Sequence, residues 1–178
     1  MFTQDFKRIG KRLFDEHLVG GNFGNISIKV KNGMYITSTG SFLDDPGDLV
    51  LVNFEGEVPP QTSSEFRVHR QIYRKTQHSA IVHAHPPYAV AASLVFDNII
   101  PKDSEGQLLC PSIPVVVERP GSDELAQNVA NSLIDSNLVI ARGHGTFAAG
   151  KSLNEAYLFT SLAEYSCRVI TFEKDLKK

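Results

Sequence analysis

The chain shows two periods of apolar and polar residues, which predict interleaved helices and strands. From Phe2 to Leu18 the apolar residues recur every three to five positions, so this segment is predicted to form an amphipathic helix that ends near Gly20-Gly21. Four further helices are predicted at 62 to about 75, 87–95, 122–133 and 152 to about 172.

Short apolar runs and strict alternation predict the strands. Apolar residues alternate with polar ones over 26–30, up to Asn32-Gly33, a dipeptide that is a strong hairpin signal, and 34–37 is predicted as the returning strand. Further strands are predicted at 49–54, 80–85, 113–117 and 138–140.

Polar residues at the predicted helix starts have the spacing of caps. Thr62 and Glu65 stand three positions apart, as in a capping box, and Ser152 and Glu155 repeat that pattern. Ser122 is predicted to cap the helix that follows it. Residues 103–106 are predicted to form a loop.

Three histidines are predicted to be solvated on or near polar helix faces: His17, His69 and His78.

The order of these elements indicates the fold class. Helices and strands are interleaved without an internal repeat or a linker, so residues 1–178 are predicted to form a single α/β or α+β domain. The hairpin favours a sheet that contains antiparallel pairs. Of the 178 residues, 42% are hydrophobic and 21% are charged, which is typical of a globular domain with a substantial core.

Net charge and cysteine content indicate the kind of partner and the cellular compartment. A formal net charge of -2 gives no overall attraction for nucleic acid or for an anionic membrane, so the expected partner is a small molecule. Cys110 and Cys167 belong to no C-x-x-C pair, which favours reduced thiols and a cytoplasmic location. The segment 1–18 has basic residues between its apolar ones, unlike a signal peptide, and no apolar run is long enough to cross a bilayer.

His83-Ala84-His85 is the strongest chemical signal in the chain. The two histidines close an apolar strand before Pro86-Pro87, and side chains two apart on a strand project to the same face. His144 follows another apolar run among small residues. Three imidazoles and an open position are typical of a catalytic metal site, whereas a lone H-x-H pair also recurs by chance on half-buried strands.

Three clusters of small polar residues interrupt the elements: Gly24-Asn25, Thr39-Gly40 and Ser63-Ser64. The last pair precedes a predicted helix, whose free amide groups together with two hydroxyls would suit a phosphate. The alternative is that all three clusters are turn and cap residues without a ligand, and their composition satisfies both interpretations.

Glu65 also has two interpretations. It suits the capping box, and it directly follows the candidate phosphate pocket. A carboxylate beside a phosphate, a divalent metal and a carbonyl group is what proton abstraction next to that carbonyl requires.

Five motifs taken together resemble one known family, the class II aldolase/adducin family. They are Gly24-Asn25-Ile26-Ser27, Ile36-Thr37-Ser38-Thr39-Gly40, Ser63-Ser64-Glu65, His83-Ala84-His85 and Gly143-His144-Gly145. Their order and approximate spacing match the family, and the resemblance extends from the first helix to about Ile170.

The resemblance implies a fold, a metal and an assembly. The implied fold is a three-layer αβα arrangement with a largely antiparallel central sheet. The implied cofactor is one Zn2+ per subunit on His83, His85 and His144, although three imidazoles accept other divalent transition metals as well. Glu65 is implied to ligate the metal before substrate binds and then to act as the acid/base catalyst.

The implied assembly is a C4 homotetramer with sites at the subunit boundaries. The implied phosphate contacts are Asn25, Thr39, Gly40, Ser63 and Ser64.

The activity that the resemblance implies is that of a metal-dependent (class II) aldolase. Such an enzyme would reversibly cleave a ketose 1-phosphate, such as L-fuculose 1-phosphate, to dihydroxyacetone phosphate and an aldehyde such as lactaldehyde. Two features differ from family members that act on that sugar. A tyrosine after the H-x-H helix is replaced by the stretch 101–106, and a longer C-terminal tail with a second tyrosine is absent.

Other members of the family supply the alternatives. Pentulose-phosphate 4-epimerases typically have Asp where this chain has Glu65, which favours the aldolase. A methylthioribulose-1-phosphate dehydratase keeps the glutamate. A non-enzymatic adducin-like interaction module lacks the metal ligands, whereas all three histidines are present here.

Overall fold

An eight-stranded sheet and six helices form the structure, a computed structural model that describes residues 2–177. The helices are α1 (Thr3–Asp15), α2 (Phe66–Lys75), α3 (Pro87–Ser93), α4 (Ser104–Leu109), α5 (Asp123–Ser132) and α6 (Leu153–Leu176). The strands are β1 (Asn25–Val30), β2 (Gly33–Thr37), β3 (Leu49–Asn53), β4 (Ala80–Ala84), β5 (Asn98–Ile99), β6 (Ile113–Val116), β7 (Leu138–Ala141) and β8 (Gly145–Gly150). Within 2–177, no helix combines the length and the apolar character needed to cross a membrane.

The sheet is largely antiparallel. Its strand order is β3-β2-β1-β4-β8-β7-β6-β5, and β6 with β7 is the one parallel pair among the described strands. Helices α2 and α5 cover one face, whereas α1, α3 and α6 cover the other. The predicted α/β fold with three αβα layers is therefore confirmed.

Strand β4 lies in the middle of the sheet and separates two cores. Its residues alternate between the two faces of the sheet. Ile81 packs in the core beneath α2 and α5, whereas Val82 and Ala84 pack in the core beneath α1 and α6. His83 therefore projects toward the α2 side, where its ring stacks on Phe147.

The predicted hairpin is confirmed, but its turn is one residue earlier than expected. Val30 pairs with Gly33, so Lys31 and Asn32 form the turn, and neither has a positive φ. Glycine is needed at position 33, at the start of β2, because a Cβ there would lie only 2.3 Å from the carbonyl oxygen of Val52 in β3.

Helix α1 ends earlier than predicted and without glycine. It stops at Asp15, and His17 takes the left-handed conformation with φ 57°. The Leu18 amide then donates to the Leu13 carbonyl at 2.8 Å and the His17 amide donates to the Phe14 carbonyl at 3.0 Å, which is a Schellman motif. The reversal keeps Leu18 buried although it lies outside the helix.

The predicted capping box at Thr62 and Glu65 is wrong. Thr62 is held in a bridge to Ser38 at the end of β2, and the Thr39 amide donates to the Gln61 carbonyl at 2.9 Å. This pairing keeps the chain extended through Thr62, so α2 begins only at Phe66. Glu65 is its N-cap residue, but its side chain makes no capping hydrogen bond. The Glu65 carboxyl group is therefore free for another role.

The predicted N-caps Ser122 and Ser152 are confirmed, but the Glu155 side chain accepts from the Lys151 amide at 2.6 Å and not from the Ser152 amide, as a capping box would require. The hydroxyls of Ser122 and Ser152 accept hydrogen bonds from the amides of Leu125 and Glu155 at 3.0 and 3.3 Å. Helix α6 continues beyond the predicted end near residue 172, to Leu176.

Three elements with weak sequence signals differ from the prediction. The segment 103–106, predicted to be a loop, contains the start of α4, and the Asp103 side chain caps that helix by accepting from the Gly106 amide at 2.7 Å. The short strand β5 and the glycine- and alanine-rich strand β8 are also absent from the prediction, because neither has the run of β-branched residues typical of a strand.

His69 contradicts its predicted exposure. It is fully buried on the α2 face that packs against the sheet, and its Nδ1 lies 2.7 Å from Ser27 Oγ, which lies 2.8 Å from Tyr73 Oη. His78 is half-buried, with Nε2 3.0 Å from the Leu133 carbonyl oxygen, so it is not simply solvated either. His17 is exposed as predicted. Burial lowers the pKa of His69 to about 3.

The buried His69 predicts an acid-sensitive contribution to stability. The folded state keeps this ring neutral, whereas the unfolded chain binds a proton below its ordinary pKa of about 6.5. Stability is therefore lost as the pH falls from about 6.5 toward 3, at about 1.4 kcal/mol per pH unit. In His69→Gln this loss is absent. Urea unfolding of metal-free protein is expected to show that the stability advantage of the wild type over the variant shrinks by about 2 to 3 kcal/mol between pH 7 and 4.5. An advantage that is equal at both pH values would contradict the buried, neutral ring.

Candidate active site

Three histidines meet at one end of β4. His83 lies in β4, His85 follows that strand, and His144 lies in the turn between β7 and β8. The His83 ring centroid is 4.8 Å from each of the other two, and the centroids of His85 and His144 are 5.1 Å apart. One ring nitrogen of each histidine lies within 4.8 Å of the others. These rings, the histidine cluster, are close enough to bind one cation.

A main-chain contact sets the orientation of His83. Its Nδ1 lies 2.9 Å from the carbonyl oxygen of Thr146, which can only accept a hydrogen bond. Nδ1 therefore carries the proton, and the Nε2 lone pair is available 3.0 Å from His85 Nε2. In a metal-binding histidine, one ring nitrogen usually donates its proton in a hydrogen bond to a carbonyl oxygen, and the other nitrogen binds the metal.

The histidine cluster is electrically neutral near pH 7. Burial lowers the pKa of all three rings, and that of His85 falls to about 4. Mutual repulsion lowers the pKa of His83 further, because His85 and His144 lie beside it. Neutral imidazole is the form that donates a lone pair to a metal.

The geometry and the unpaired atoms of this site fit a divalent metal. A tetrahedral zinc site with Zn–N bonds of about 2.0 to 2.1 Å separates its nitrogens by roughly 3.3 Å. His83 Nε2 and His85 Nε2 are 3.0 Å apart, and one ring nitrogen of each histidine lies within 4.8 Å of the others, so these two distances bracket that value. Within the described residues, three buried polar atoms here have no hydrogen-bond partner: Asn25 Oδ1, Glu65 Oε2 and His144 Nδ1. Buried polar atoms without partners are costly, which is typical of a site that takes a ligand.

One pocket of about 340 Å³ contains the cluster and the other predicted site residues. The structure brings all of them to its walls, although their individual roles stay predictions. The predicted residues that line it are Asn25, Thr39, Gly40, Ser63, Ser64, Glu65, His83, His85 and His144.

Glu65 lies in this pocket with its carboxyl group largely excluded from water. It is 7% exposed, and burial raises its pKa. A raised pKa favours the protonated form of a carboxyl group, which suits a group that exchanges protons in catalysis. Glu65 is not one of the three residues of the histidine cluster.

Close backbone approach shapes the opposite wall of the pocket. Gly24 has φ 80°, and a Cβ there would lie 2.6 Å from the carbonyl oxygen of His83. Its neighbour Asn25 pairs with His83 across β1 and β4, which places the amide side chain beside the cluster. Gly40, with φ 74°, turns the chain after β2 and lines the same pocket as Ser63.

Four lining residues are not among the nine predicted site residues. Gly24 and Ser38 belong to the five sequence motifs, whereas Asn22 and Phe23 belong to none of them. The Phe23 ring stacks on His85, with centroids 5.7 Å apart and planes 14° from parallel. Asn22 Nδ2 lies 3.5 Å from the Gly40 carbonyl oxygen. Both belong to the glycine-rich loop 20–24. The signal that could have identified this loop as part of the site is an aromatic residue between glycines at the start of the first family motif.

Replacing Gly145 with alanine is expected to displace the histidine cluster. A Cβ at this position would lie 2.3 Å from the Ala84 carbonyl oxygen, 3.0 Å from His85 Cδ2 and 3.1 Å from His83 Cε1. Competition titration with a chelator is expected to show at least a roughly tenfold loss of affinity for Zn2+ in Gly145→Ala.

Gly150→Ala is the matched control, since it makes the same change at the other end of β8. The three atoms nearest to a Cβ there all belong to the Glu155 side chain, at 2.8 to 2.9 Å, and none belongs to a histidine of the cluster, so Zn2+ affinity is expected to stay at the wild-type value. Tight, wild-type binding in Gly145→Ala would contradict the described packing of the rings.

Known proteins are similar to this chain in sequence and in structure. Residues 4–171 match the Class II Aldolase and Adducin N-terminal domain. An L-fuculose phosphate aldolase of Methanococcus maripaludis (strain C5) is 36% identical over 169 residues, which cover 92% of each chain. The crystal structure of L-fuculose-1-phosphate aldolase from Thermus thermophilus is 34% identical with a TM-score of 0.95, covering 99% of this chain and 95% of that one.

A relative with a different reaction is also similar. A 3-oxo-tetronate 4-phosphate decarboxylase of Escherichia coli O6:H1 is 30% identical over 165 residues, which cover 86% of this chain and 78% of that protein. The family match and the two aldolases confirm the predicted aldolase function. The chain belongs to the class II aldolase and adducin family.

Proposed function

We propose that this chain reversibly cleaves L-fuculose 1-phosphate, or a closely related ketose 1-phosphate, to dihydroxyacetone phosphate and an aldehyde such as lactaldehyde. The observation that carries this proposal is the convergence of three neutral imidazoles with a buried glutamate and a cluster of hydroxyls in one pocket. The relatives that are named L-fuculose phosphate aldolases support the choice of substrate.

His83, His85 and His144 would hold a divalent metal, and we propose one Zn2+ per subunit. When bound there, the metal would act as a Lewis acid on the oxygens of the ketose. The three side chains contribute neutral nitrogen donors, and the Thr146 carbonyl keeps His83 in the tautomer that offers Nε2.

The phosphate of the substrate is proposed to contact Ser63, Ser64, Thr39, Gly40 and Asn25. These residues offer hydroxyls, a side-chain amide and turn backbone on the wall of the pocket next to the histidine cluster. Neutral donors of this kind bind an oxyanion without a buried positive charge. A phosphate held here keeps the carbon chain of the sugar between the hydroxyls and the cluster.

Glu65 is proposed to move a proton at the carbon next to the carbonyl group. Its side chain has no capping role, its Oε2 has no partner among the described residues, and burial raises its pKa, which suits a group that gives and takes back a proton. In cleavage the carbon–carbon bond breaks, the hydroxyl group of the departing carbon loses its proton as the aldehyde forms, and the carbon next to the carbonyl gains a proton from Glu65. Synthesis reverses these changes, so the protons balance overall. An additional role of Glu65 as a metal ligand before substrate binds is part of the proposal.

Three finer assignments also belong to the proposal. The chain is proposed to act as one domain, to assemble as a homotetramer with sites at subunit boundaries, and to work in the cytoplasm. The family resemblance supports the first two. Two buried cysteines without a disulfide, Cys110 and Cys167, support a reducing compartment.

The decarboxylase relative favours one second candidate, a sugar-phosphate decarboxylase that uses the same pocket. The deciding experiment incubates the metal-loaded protein with L-fuculose 1-phosphate, a pentulose phosphate, methylthioribulose 1-phosphate and a 3-oxo-tetronate 4-phosphate. Release of dihydroxyacetone phosphate supports the aldolase. Formation of an epimer, a dehydrated product or carbon dioxide would support an epimerase, a dehydratase or a decarboxylase, respectively, in place of the aldolase. A protein that takes up no divalent ion would instead favour an adducin-like interaction module.

Glu65→Gln is expected to leave the metal bound and to lower kcat for cleavage by roughly 100-fold or more, because the amide cannot transfer the proton. Metal content and a coupled assay for dihydroxyacetone phosphate check both expectations. The control is Glu57→Gln, which makes the same change at an exposed residue outside the pocket and is expected to leave kcat unchanged. Normal turnover in Glu65→Gln would refute the assigned role.

A further inference from the structure

The three histidines of the cluster are held in different ways. His83 lies within β4, and the Thr146 carbonyl oxygen lies 2.9 Å from its Nδ1. His85 and His144 lie outside the strands, so strand pairing does not fix them directly. The Nδ1 atom of His144 is buried and has no hydrogen-bond partner among the described residues. The place of the His144 ring therefore depends on the turn that carries it.

Helix α3 links the two histidines that lie outside the strands. It begins at Pro87, two residues after His85, and ends at Ser93. The buried hydroxyl of Ser93 accepts a hydrogen bond from the Gly143 amide at 2.9 Å, and Gly143 directly precedes His144. One end of α3 is thus joined to the segment of His85, and the other end is joined to the turn that carries His144.

A carboxyl group from α6 holds the start of α3. Glu164 Oε2 accepts hydrogen bonds from the amides of Tyr88 and Ala89 at 2.8 and 3.1 Å. These amides lie in the first turn of α3, where the helix itself supplies no acceptor. Glu164 is only 5% exposed, so water competes little for the two bonds. Helix α3 is therefore fixed on α6 and can act as a rigid support for the turn that it contacts.

The bond between Ser93 and Gly143 is the buried contact between this support and the turn. The Ser93 hydroxyl also donates to the Val90 carbonyl at 2.6 Å, which leaves its oxygen to accept from the turn. Gly143 is exposed and has φ 63°, so without the hydroxyl its amide would bond to water. The ion pair of Arg142 with Asp97 also joins the turn to the segment after α3, but the Asp97 side chain is 94% exposed and such a pair contributes little.

We propose that Ser93 is a positioning residue of the metal site, which holds His144 in place beside His83 and His85 through the Gly143 amide. Ser93 does not line the pocket, so it acts on the site only through the turn. This inference rests on the proposed metal site and does not depend on which sugar phosphate the enzyme cleaves.

The test is a titration of the metal-free protein with Co2+, which three imidazoles accept as they accept Zn2+. Ser93→Ala removes the hydroxyl and keeps a small residue that favours a helix. The affinity for Co2+ is expected to fall roughly tenfold, as when a group that supports a metal ligand is lost. The visible absorption bands of the bound Co2+ are expected to shift, because they report the arrangement of its ligands.

Ser166→Ala is the matched control, since it makes the same change at an equally buried serine. Ser166 lies in α6 at 0% exposure, and its hydroxyl has no hydrogen-bond partner among the described residues. Its removal is expected to leave both the affinity for Co2+ and the absorption bands at their wild-type values. Urea unfolding of the metal-free proteins checks that both variants fold.

A double-variant cycle tests whether Ser93 acts through His144. In protein that already carries His144→Ala, the further change Ser93→Ala is expected to alter the affinity for Co2+ less than about twofold, because the ligand that it positions is gone. A residue that only stabilised the fold would lower the affinity to the same extent with and without His144.

The outcomes distinguish this inference from the function on which it rests. Wild-type affinity and absorption bands in Ser93→Ala, an equal loss in Ser166→Ala, or an equal loss with and without His144 would each overturn the role of Ser93 while leaving the metal site in place. A wild-type protein that binds no Co2+ would overturn the proposed metal site and this inference with it. A wild-type protein that binds Co2+ but releases no dihydroxyacetone phosphate would overturn the proposed reaction alone.

Discussion

The antiparallel pairing of β4 with β8 is the interaction on which the site depends. It places His83 opposite Phe147, whose ring stacks on the imidazole with centroids 4.1 Å apart. The same register places the Thr146 carbonyl at His83 Nδ1 and brings the turn that carries His144 to the end of β4. Because side chains on a strand alternate between faces, a slip of one residue would turn His83 toward the core beneath α1 and α6. The histidine cluster is thus a product of sheet register.

Burial acts on the two kinds of titratable group in opposite directions. It lowers the pKa of the three imidazoles and raises that of Glu65, because in each case removal from water disfavours the charged form. The result is a pocket with neutral nitrogen donors beside a carboxyl group whose pKa is raised. Both shifts suit the proposed chemistry, and one physical cause, removal from water, produces them together.

The sequence predicts the site more completely than it predicts the elements around it. Histidines at strand ends and short polar clusters are recognisable from local spacing, and the family resemblance selects among them. All nine positions predicted in this way line one pocket. The errors arise where distant segments meet. Pairing with the end of β2 delays α2 beyond Thr62, and packing of α2 on the sheet buries His69, which looks polar and exposed in the local pattern. Strand β8 has no local signal, since small residues form a strand there only between β4 and β7.

The acceptor that orients His83 is the carbonyl of Thr146, not its side chain. Every amino acid supplies that oxygen, so the tautomer does not depend on which residue occupies position 146. Alignment of homologues would show no invariant partner for this histidine, even where the contact is retained in all of them. A survey of substitutions at this position would therefore underestimate its importance, whereas a backbone ester replacing the peptide bond that follows Thr146 would weaken this acceptor directly.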